Sequence, residues 1–177
     1  SARVTVSASS FVPKPHTPFQ WVAQDTPEIL HQKQEYLKKK LRDRRIKFLY
    51  HDVGASFIEA ILARGDRRLA ALLEWAVQAG CKFDGWTEYF PLELWQQGLK
   101  ETGIDPHFYA NRQFELEEIL PWDHISSGVT KDYLQKEYQK ALAAEVTADC
   151  RRVCGRCGVC PDIARTVKFK SERRSSG

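Results

Sequence analysis

The sequence predicts an α/β chain, predominantly helical, in which a strand, a helix and a second strand precede a helical extension and a cysteine-rich tail. Three observations predict it. Val4, Val6 and Ala8 alternate at the period of a strand, and Ile46-Lys47-Phe48-Leu49-Tyr50-His51 reads as a second short strand. Between these stretches, and repeatedly after Gly54, apolar residues recur at helical spacing. Four of the five cysteines, Cys150, Cys154, Cys157 and Cys160, fall inside eleven residues.

The first strand runs into Val12-Pro13-Lys14-Pro15-His16-Thr17-Pro18-Phe19-Gln20-Trp21. Three prolines within six residues remove backbone donors and hold the chain extended, so the strand ends there in a stiff loop. Such a loop is a natural place for a ligand contact; the competing reading is a connector packed by Phe19 and Trp21. Thr26-Pro27-Glu28 starts a helix, with Thr26 as cap and Pro27 in a first turn where a missing N–H costs nothing. Ile29, Leu30, Tyr36, Leu37 and Leu41 give it a thin apolar stripe, and it is predicted to reach about Arg45. Its last turns and the residues just beyond carry Lys38, Lys39, Lys40, Arg42, Arg44, Arg45 and Lys47, opposed only by Asp43. Cations complement a helix C-terminus, so the run reads first as a solvated face. A phosphate-binding patch for RNA is the alternative, and no aromatic residue alternates with the basic ones to support it. Strand, helix and strand in this order suit a parallel crossover.

After Gly54, Ser56-Phe57-Ile58-Glu59 reads as a capping box for a helix ending at Arg64-Gly65. Asp66 caps the next helix, whose apolar face is Leu69, Leu72, Leu73, Ala76 and Val77 and whose stop is Gly80. The two are expected to form an antiparallel hairpin. Arg64, Asp66, Arg67 and Arg68 crowd the bend, as a salt-bridged corner or as an anion or interdomain contact. Asp84-Gly85 marks a turn before large aromatics at Trp86, Tyr89, Phe90 and Trp95; Leu92, Trp95 and Leu99 define a helix ending near Gly103. Asp105-Pro106 starts a short helical turn, and Leu120 to Gly128 is a loop. His124 in that loop has no nucleophile nearby and is given no catalytic role. Thr130 caps a final helix with Tyr133, Leu134, Tyr138 and Leu142 on one face.

At 177 residues, 42% hydrophobic and 28% charged with a net charge of +4, the chain can bury a core and is not wholly disordered. Mean hydropathy is −0.48, and no apolar run approaches the roughly 20 residues of a membrane span. Ser1 to Ser10 lacks the basic and apolar regions of a secretory signal, so the expectation is a cytoplasmic chain with no membrane partner. The first residue is Ser and the sequence holds no Met, which reads as a partial or excised product. No internal repeat, nucleotide-binding Gly-rich loop or Ser-His-Asp arrangement is recognisable.

The spacing Cys150-x3-Cys154-x2-Cys157-x2-Cys160-Pro161 points to metal, because thiols in a reducing compartment stay free. Thiolates are soft, strong ligands, and Gly155 and Gly158 let the backbone curl around them. Arg151, Arg152 and Arg156 favour the thiolate and offset its charge. Ligands this tightly spaced resemble the bacterial ferredoxin run more than the separated pairs of most zinc sites, so an iron–sulfur cluster is the first reading and zinc the alternative. Cys81 reads as a small, half-buried hydrophobe. Cys150, Cys154 and Cys157 alone also match the C-x3-C-x2-C signature of the radical SAM catalytic cluster. That signature lies after the first strand of a barrel, whereas 17 residues follow Cys160, so this copy is not expected to be the catalytic one.

The blocks Ser10 to Trp21, Ala63-Arg-Gly-Asp-Arg-Arg68, Phe83-Asp-Gly-Trp86, Leu120-Pro-Trp-Asp-His124 and Asp149 to Cys160, in this order, resemble the C-terminal part of a family of bacterial radical SAM proteins with an N-terminal cobalamin-binding-type domain. The similarity spans residues 1 to about 162. It implies that residues 1–53 end a partial (β/α) barrel, 54–145 form a helical extension, 146–162 a cysteine-rich metal-binding motif and 163–177 a basic tail or linker. It further implies that Pro13, Lys14, Pro15, His16 and Thr17 face S-adenosylmethionine or substrate, with Cys150, Cys154, Cys157 and Cys160 as metal ligands. Full-length members reduce S-adenosylmethionine at a four-iron four-sulfur cluster to make a deoxyadenosyl radical. Their front barrel half and cobalamin-type domain, absent from this sequence, are the implied partners, and cobalamin an implied cofactor of the whole.

Overall fold

In the computed structural model, which describes residues 2–159, β1 (Val4–Ala8) and β2 (Ile46–Tyr50) pair in parallel, with Val4 opposite Ile46 and Ala8 opposite Tyr50. The helix between them, α1 (Pro27–Lys40), makes the crossover. Thr26 caps it as expected, its hydroxyl accepting the Ile29 N–H at 3.5 Å. The helix stops about five residues short of Arg45. Asp43 explains the early end: its carboxylate accepts the Arg45 N–H at 2.8 Å and its carbonyl the Ile46 N–H at 2.9 Å, forming a turn that starts β2.

The helices that follow are α2 (Val53–Ala63), α3 (Ala70–Gln78), α4 (Leu92–Glu101) and α5 (Pro106–Ala110), with single 3-10 turns at Arg67–Leu69 and Thr87–Tyr89. The cap of α2 is Asp52, whose Oδ1 accepts the Ala55 N–H at 2.8 Å, so the capping box expected at Ser56 and Glu59 does not form. Ser56 lies inside the helix and its hydroxyl donates to the Asp52 carbonyl at 2.8 Å. Asp66 caps the 3-10 turn that leads into α3, and Asp105 caps α5. Ile58, Ile61, Leu69, Leu72, Trp95 and Leu99 form the centre of the core.

The expected hairpin of α2 and α3 gives way to a different pairing: α3 packs on α4, and α2 on α1 and α5. Gly98 makes the first of these possible, because a Cβ there would come within 2.6 Å of the Trp75 ring. Only part of the expected α3 face is used. Leu69, Leu72 and Ala76 are buried, while Leu73 is exposed and Val77 is 70% exposed.

The Arg64 to Arg68 corner is structural. The Arg64 side chain, 1% exposed, donates to the carbonyls of Tyr109 (2.5 Å), Ala110 (2.9 Å) and Arg112 (2.6 Å), and lies 3.9 Å above the Phe114 ring. Arg112 covers the Phe114 and Phe108 rings at 4.4 and 4.7 Å, and Arg68, paired with Asp66, lies 5.1 Å over Phe108. Alternating guanidinium and aromatic planes thus fasten the chain after α5 to the end of α2.

The described chain divides into two units, one built from the chain up to Pro15 and from Phe19 to Trp122, the other from His16–Pro18 and the chain from Asp123 onward. The second contains α6 (Lys131–Leu142), capped by Thr130, whose hydroxyl accepts the Tyr133 N–H at 3.3 Å. Leu134 and Tyr138 are buried and Leu142 is exposed. No helix among the described residues is long and apolar enough to cross a membrane.

Candidate functional site

Parallel pairing sends the Pro-rich loop after β1 and the Tyr50-His51-Asp52 segment after β2 out of the same, carboxyl end of the strands. In closed barrels and larger open parallel sheets, ligands bind at that end. Of the residues expected there, Pro13 is fully buried and Lys14 is exposed and ion-paired with Glu59 of α2. Pro15 is half-buried. His16 and Thr17, also half-buried, belong to the second unit, and His16 holds a left-handed φ of 56°. The loop also contains the packed connector. Trp21 is fully buried, the Gln20 side chain accepts the Trp122 indole N–H at 2.7 Å, and the Trp21 carbonyl accepts the Phe114 N–H at 2.8 Å. Phe19 stays exposed, its ring 6.1 Å from that of Phe11.

A cavity of about 620 Å³ opens beside this end, lined by Tyr50, His51, Ser56, Glu59, Asp84 and Trp95 among others. Asp84 accepts the Trp95 indole N–H at 2.8 Å through Oδ2, while its Oδ1 is buried with no partner. Burial pushes the nearby Cys81 thiol up, and the Asp84 charge adds to the effect, so Cys81 is kept as a neutral thiol. Glu59 and Asp84 were not singled out as site residues from sequence. Asp84-Gly85 signalled only a turn, and Glu59 only a cap.

A second cavity, about 580 Å³, lies among the starts of α1, α2 and α5 and the side of α4. Its floor is apolar, with Phe57 and Leu92, and its rim carries His31, His107 and Glu28. The His107 Nδ1 is 2.7 Å from the Asn111 side-chain oxygen, which orients the imidazole. The Thr26 hydroxyl, followed by the backbone and the two histidines, holds the Glu28 carboxyl below its usual range.

No family model, curated protein or solved structure matches this chain. The sites therefore rest on their own chemistry.

In the second unit the cysteine segment leans on α6. The Thr130 N–H donates to the Cys157 carbonyl at 2.9 Å. Gly158, at φ 101°, fits where a Cβ would meet the Gly128 carbonyl at 2.9 Å and the Thr130 methyl at 2.8 Å, and Tyr133 covers Gly155. Burial raises the Tyr133 phenol, and the nearby Glu137 carboxylate adds to the effect. Cys150, Cys154 and Cys157 are free thiols, the first two exposed and the third half-buried. Cys160 lies outside the described residues. Among the described residues no group of three or more His, Cys, Asp or Glu side chains is gathered around a point a metal could occupy. The donor chemistry nonetheless suits a soft metal: three free thiols are carried on a segment that turns sharply at Gly158. His124 is exposed, and its neighbour Asp123 pairs with Lys131 at 3.2 Å.

Proposed function

We propose that this chain is the C-terminal segment of a radical SAM enzyme, with β1, α1 and β2 as the last strand–helix–strand of its barrel. Cys150, Cys154, Cys157 and Cys160 would hold an auxiliary iron–sulfur cluster, or zinc, in a tail. The observation that supports it most is the open state of the strand pair. Among the described residues there are two strands, and the face carrying Thr5, Ser7, Lys47 and Leu49 is exposed. Val4 donates to the Arg45 carbonyl and Ala8 accepts from His51, so the alternate residues Thr5 and Ser7 turn their N–H and C=O groups to the edge away from β2. Parallel sheets are ordinarily covered on both faces and rarely stand as two strands. Further strands on the β1 edge would enclose the Thr5–Lys47 face as a barrel interior.

In that setting Lys14 and the Glu59–Asp84 cavity would lie at the ligand-binding end. Lys14, held by Glu59, would present a cation to a carboxylate or phosphate, and the partnerless Asp84 Oδ1 would accept a hydrogen bond from a ligand N–H or O–H. The catalytic cluster would sit on a part of the enzyme outside this sequence, where it supplies the electron that cleaves S-adenosylmethionine. Within this chain the four thiolates would do no more than bind their metal, and binding would draw the segment together, since metal affinity and local ordering are coupled.

Two measurements test the proposal. The coding sequence upstream of Ser1 is expected to contain a C-x3-C-x2-C loop placed after a strand pattern; an upstream region without one overturns the radical SAM reading. Anaerobic reconstitution with iron and sulfide is expected to give visible charge-transfer absorption that is lost when Cys150, Cys154, Cys157 or Cys160 is changed to Ser. Stoichiometric zinc with no such absorption replaces the cluster by zinc, and binding of neither removes the metal centre.

A further inference from the structure

The stretch from the last turn of α1 into the start of β2 carries a dense run of positive charge. We propose that it binds a single-stranded polynucleotide. Between Lys38 and Lys47 stand seven cations and one carboxylate. Early termination of α1 at Lys40 places Arg42 and Arg44 in the connecting loop rather than on the helix, beside the start of β2. Lys38 is committed to Glu35 and Arg45 to Asp43. Lys39, Lys40, Arg42 and Arg44 are exposed and make no ion pair among the described residues. They are therefore available to neutralise phosphates.

Charge alone would suit any polyanion, and the aromatic side chains narrow the choice. The sequence run holds no aromatic residue between its cations, but folding adds two from outside it. Tyr36 reaches the patch from the preceding turn of α1, 60% exposed and with the Lys40 ammonium 5.6 Å from its ring centre. Tyr50, 42% exposed, is brought from the far end of β2, with the Lys38 ammonium 4.5 Å above it and the Phe48 ring 5.4 Å away. Exposed rings flanked by cations are the combination that stacks unpaired bases while holding their backbone. A membrane surface would instead call for a broad apolar face with the cations at its margin. Base stacking on Tyr36 and Tyr50, with phosphate contacts from Lys39, Lys40, Arg42 and Arg44, makes the site indifferent to base identity.

The test uses the full chain and fluorescence anisotropy with labelled 12-mers of oligo(U) and oligo(dT), which separate RNA from DNA as the preferred source. Four phosphate contacts on a single strand imply a log–log salt slope of about −2.8, or roughly a 50-fold weakening between 50 and 200 mM salt. Changing Lys39, Lys40, Arg42 and Arg44 together to Gln is expected to abolish that dependence. Tyr36→Leu and Tyr50→Leu are each expected to weaken binding about 5-fold or more while leaving the salt slope in place. A control of equal charge, Arg67, Lys82, Lys100 and Lys136 together to Gln, is expected to retain binding; circular dichroism confirms that both sets are folded. Equal losses in the two sets, or binding to phosphatidylserine vesicles without binding to either oligonucleotide, overturn the proposal. So does a tyrosine variant set with unaltered affinity.

Discussion

Replacing Arg64 by Met should cost this fold about 4 kcal/mol, a figure that follows from which carbonyls keep a partner. The Ala110 carbonyl still accepts the Gln24 N–H at 2.9 Å after the guanidinium is gone. The Tyr109 and Arg112 carbonyls lose the Arg64 donors at 2.5 and 2.6 Å and gain nothing from Met. Each orphaned carbonyl, that of Tyr109 buried and that of Arg112 part-buried, costs ~1–3 kcal/mol, the buried one toward the upper end. Loss of the cation above Phe114 adds ~1 kcal/mol, and apolar packing of Met returns a similar amount. Burial, with Arg112 nearby, pushes the Arg64 guanidinium down to about 10, so at neutral pH it remains a charged donor. Arg64→Lys should lose about half as much, since one ammonium cannot reach three carbonyls spread along the chain. Urea unfolding followed by tryptophan emission reads the loss directly, because all five tryptophans lie between Trp21 and Trp122, in the unit that holds Arg64. At this chain length the Met variant should melt ~8–16 °C lower. A loss below ~1 kcal/mol for Arg64→Met would refute the reasoning, showing that the carbonyls find other donors.

Two further outcomes follow from the same packing. Gly98→Ala puts a methyl 2.6 Å from the Trp75 ring and 3.0 Å from Leu72, so Trp75 must swing away from Glu101, which now accepts its indole N–H at 2.8 Å. The variant should lose about 1–3 kcal/mol in urea and shift its emission, whereas unchanged stability would mean that α3 and α4 separate freely. Arg112 donates twice to Glu118, at 2.9 Å each, and these bonds hold the Glu118 carboxyl below its ordinary 4.5. A carboxyl with a folded value below its unfolded value stabilises fully above the unfolded value and ceases to as pH falls through the folded one. The stability gap between the native chain and Glu118→Gln should therefore be constant from pH 7 to 5 and close as the medium is acidified below the ordinary 4.5. A gap that persists there would assign the effect to packing instead.

Elements whose signals are local were legible before folding was considered. Alternation at Val4, Val6 and Ala8, the caps at Thr26, Asp105 and Thr130, and the stop at Gly80 each involve residues a few positions apart, and each element appears where those residues stand. Where two local signals competed, the longer-range geometry chose. Asp52 and Ser56 both can cap, and Asp52 does so because the chain leaves β2 there, in extended form, with the helix still to start. Asp43 outweighed the helical propensity of residues 41–45 because a turn was needed to bring Ile46 beside Val4.

The candidate site divides in the same way. Lys14 and the cysteine spacing could be read from sequence, since a Pro-rich loop and clustered thiols declare themselves in neighbouring letters. Glu59 as the partner of Lys14, the partnerless oxygen of Asp84, and Tyr50 beside Lys38 could not, because each pairs positions on different elements. Amino-acid order by itself determined which segments are strand, helix and turn, since backbone propensity and capping act over one or two turns of chain. Only the tertiary structure decided that Arg64 would serve carbonyls more than forty residues away, that α3 would lie on α4 rather than α2, and that Tyr50 would lie beneath Lys38. Those choices depend on how the faces of separate elements fill space together, and no single stretch of sequence contains that information.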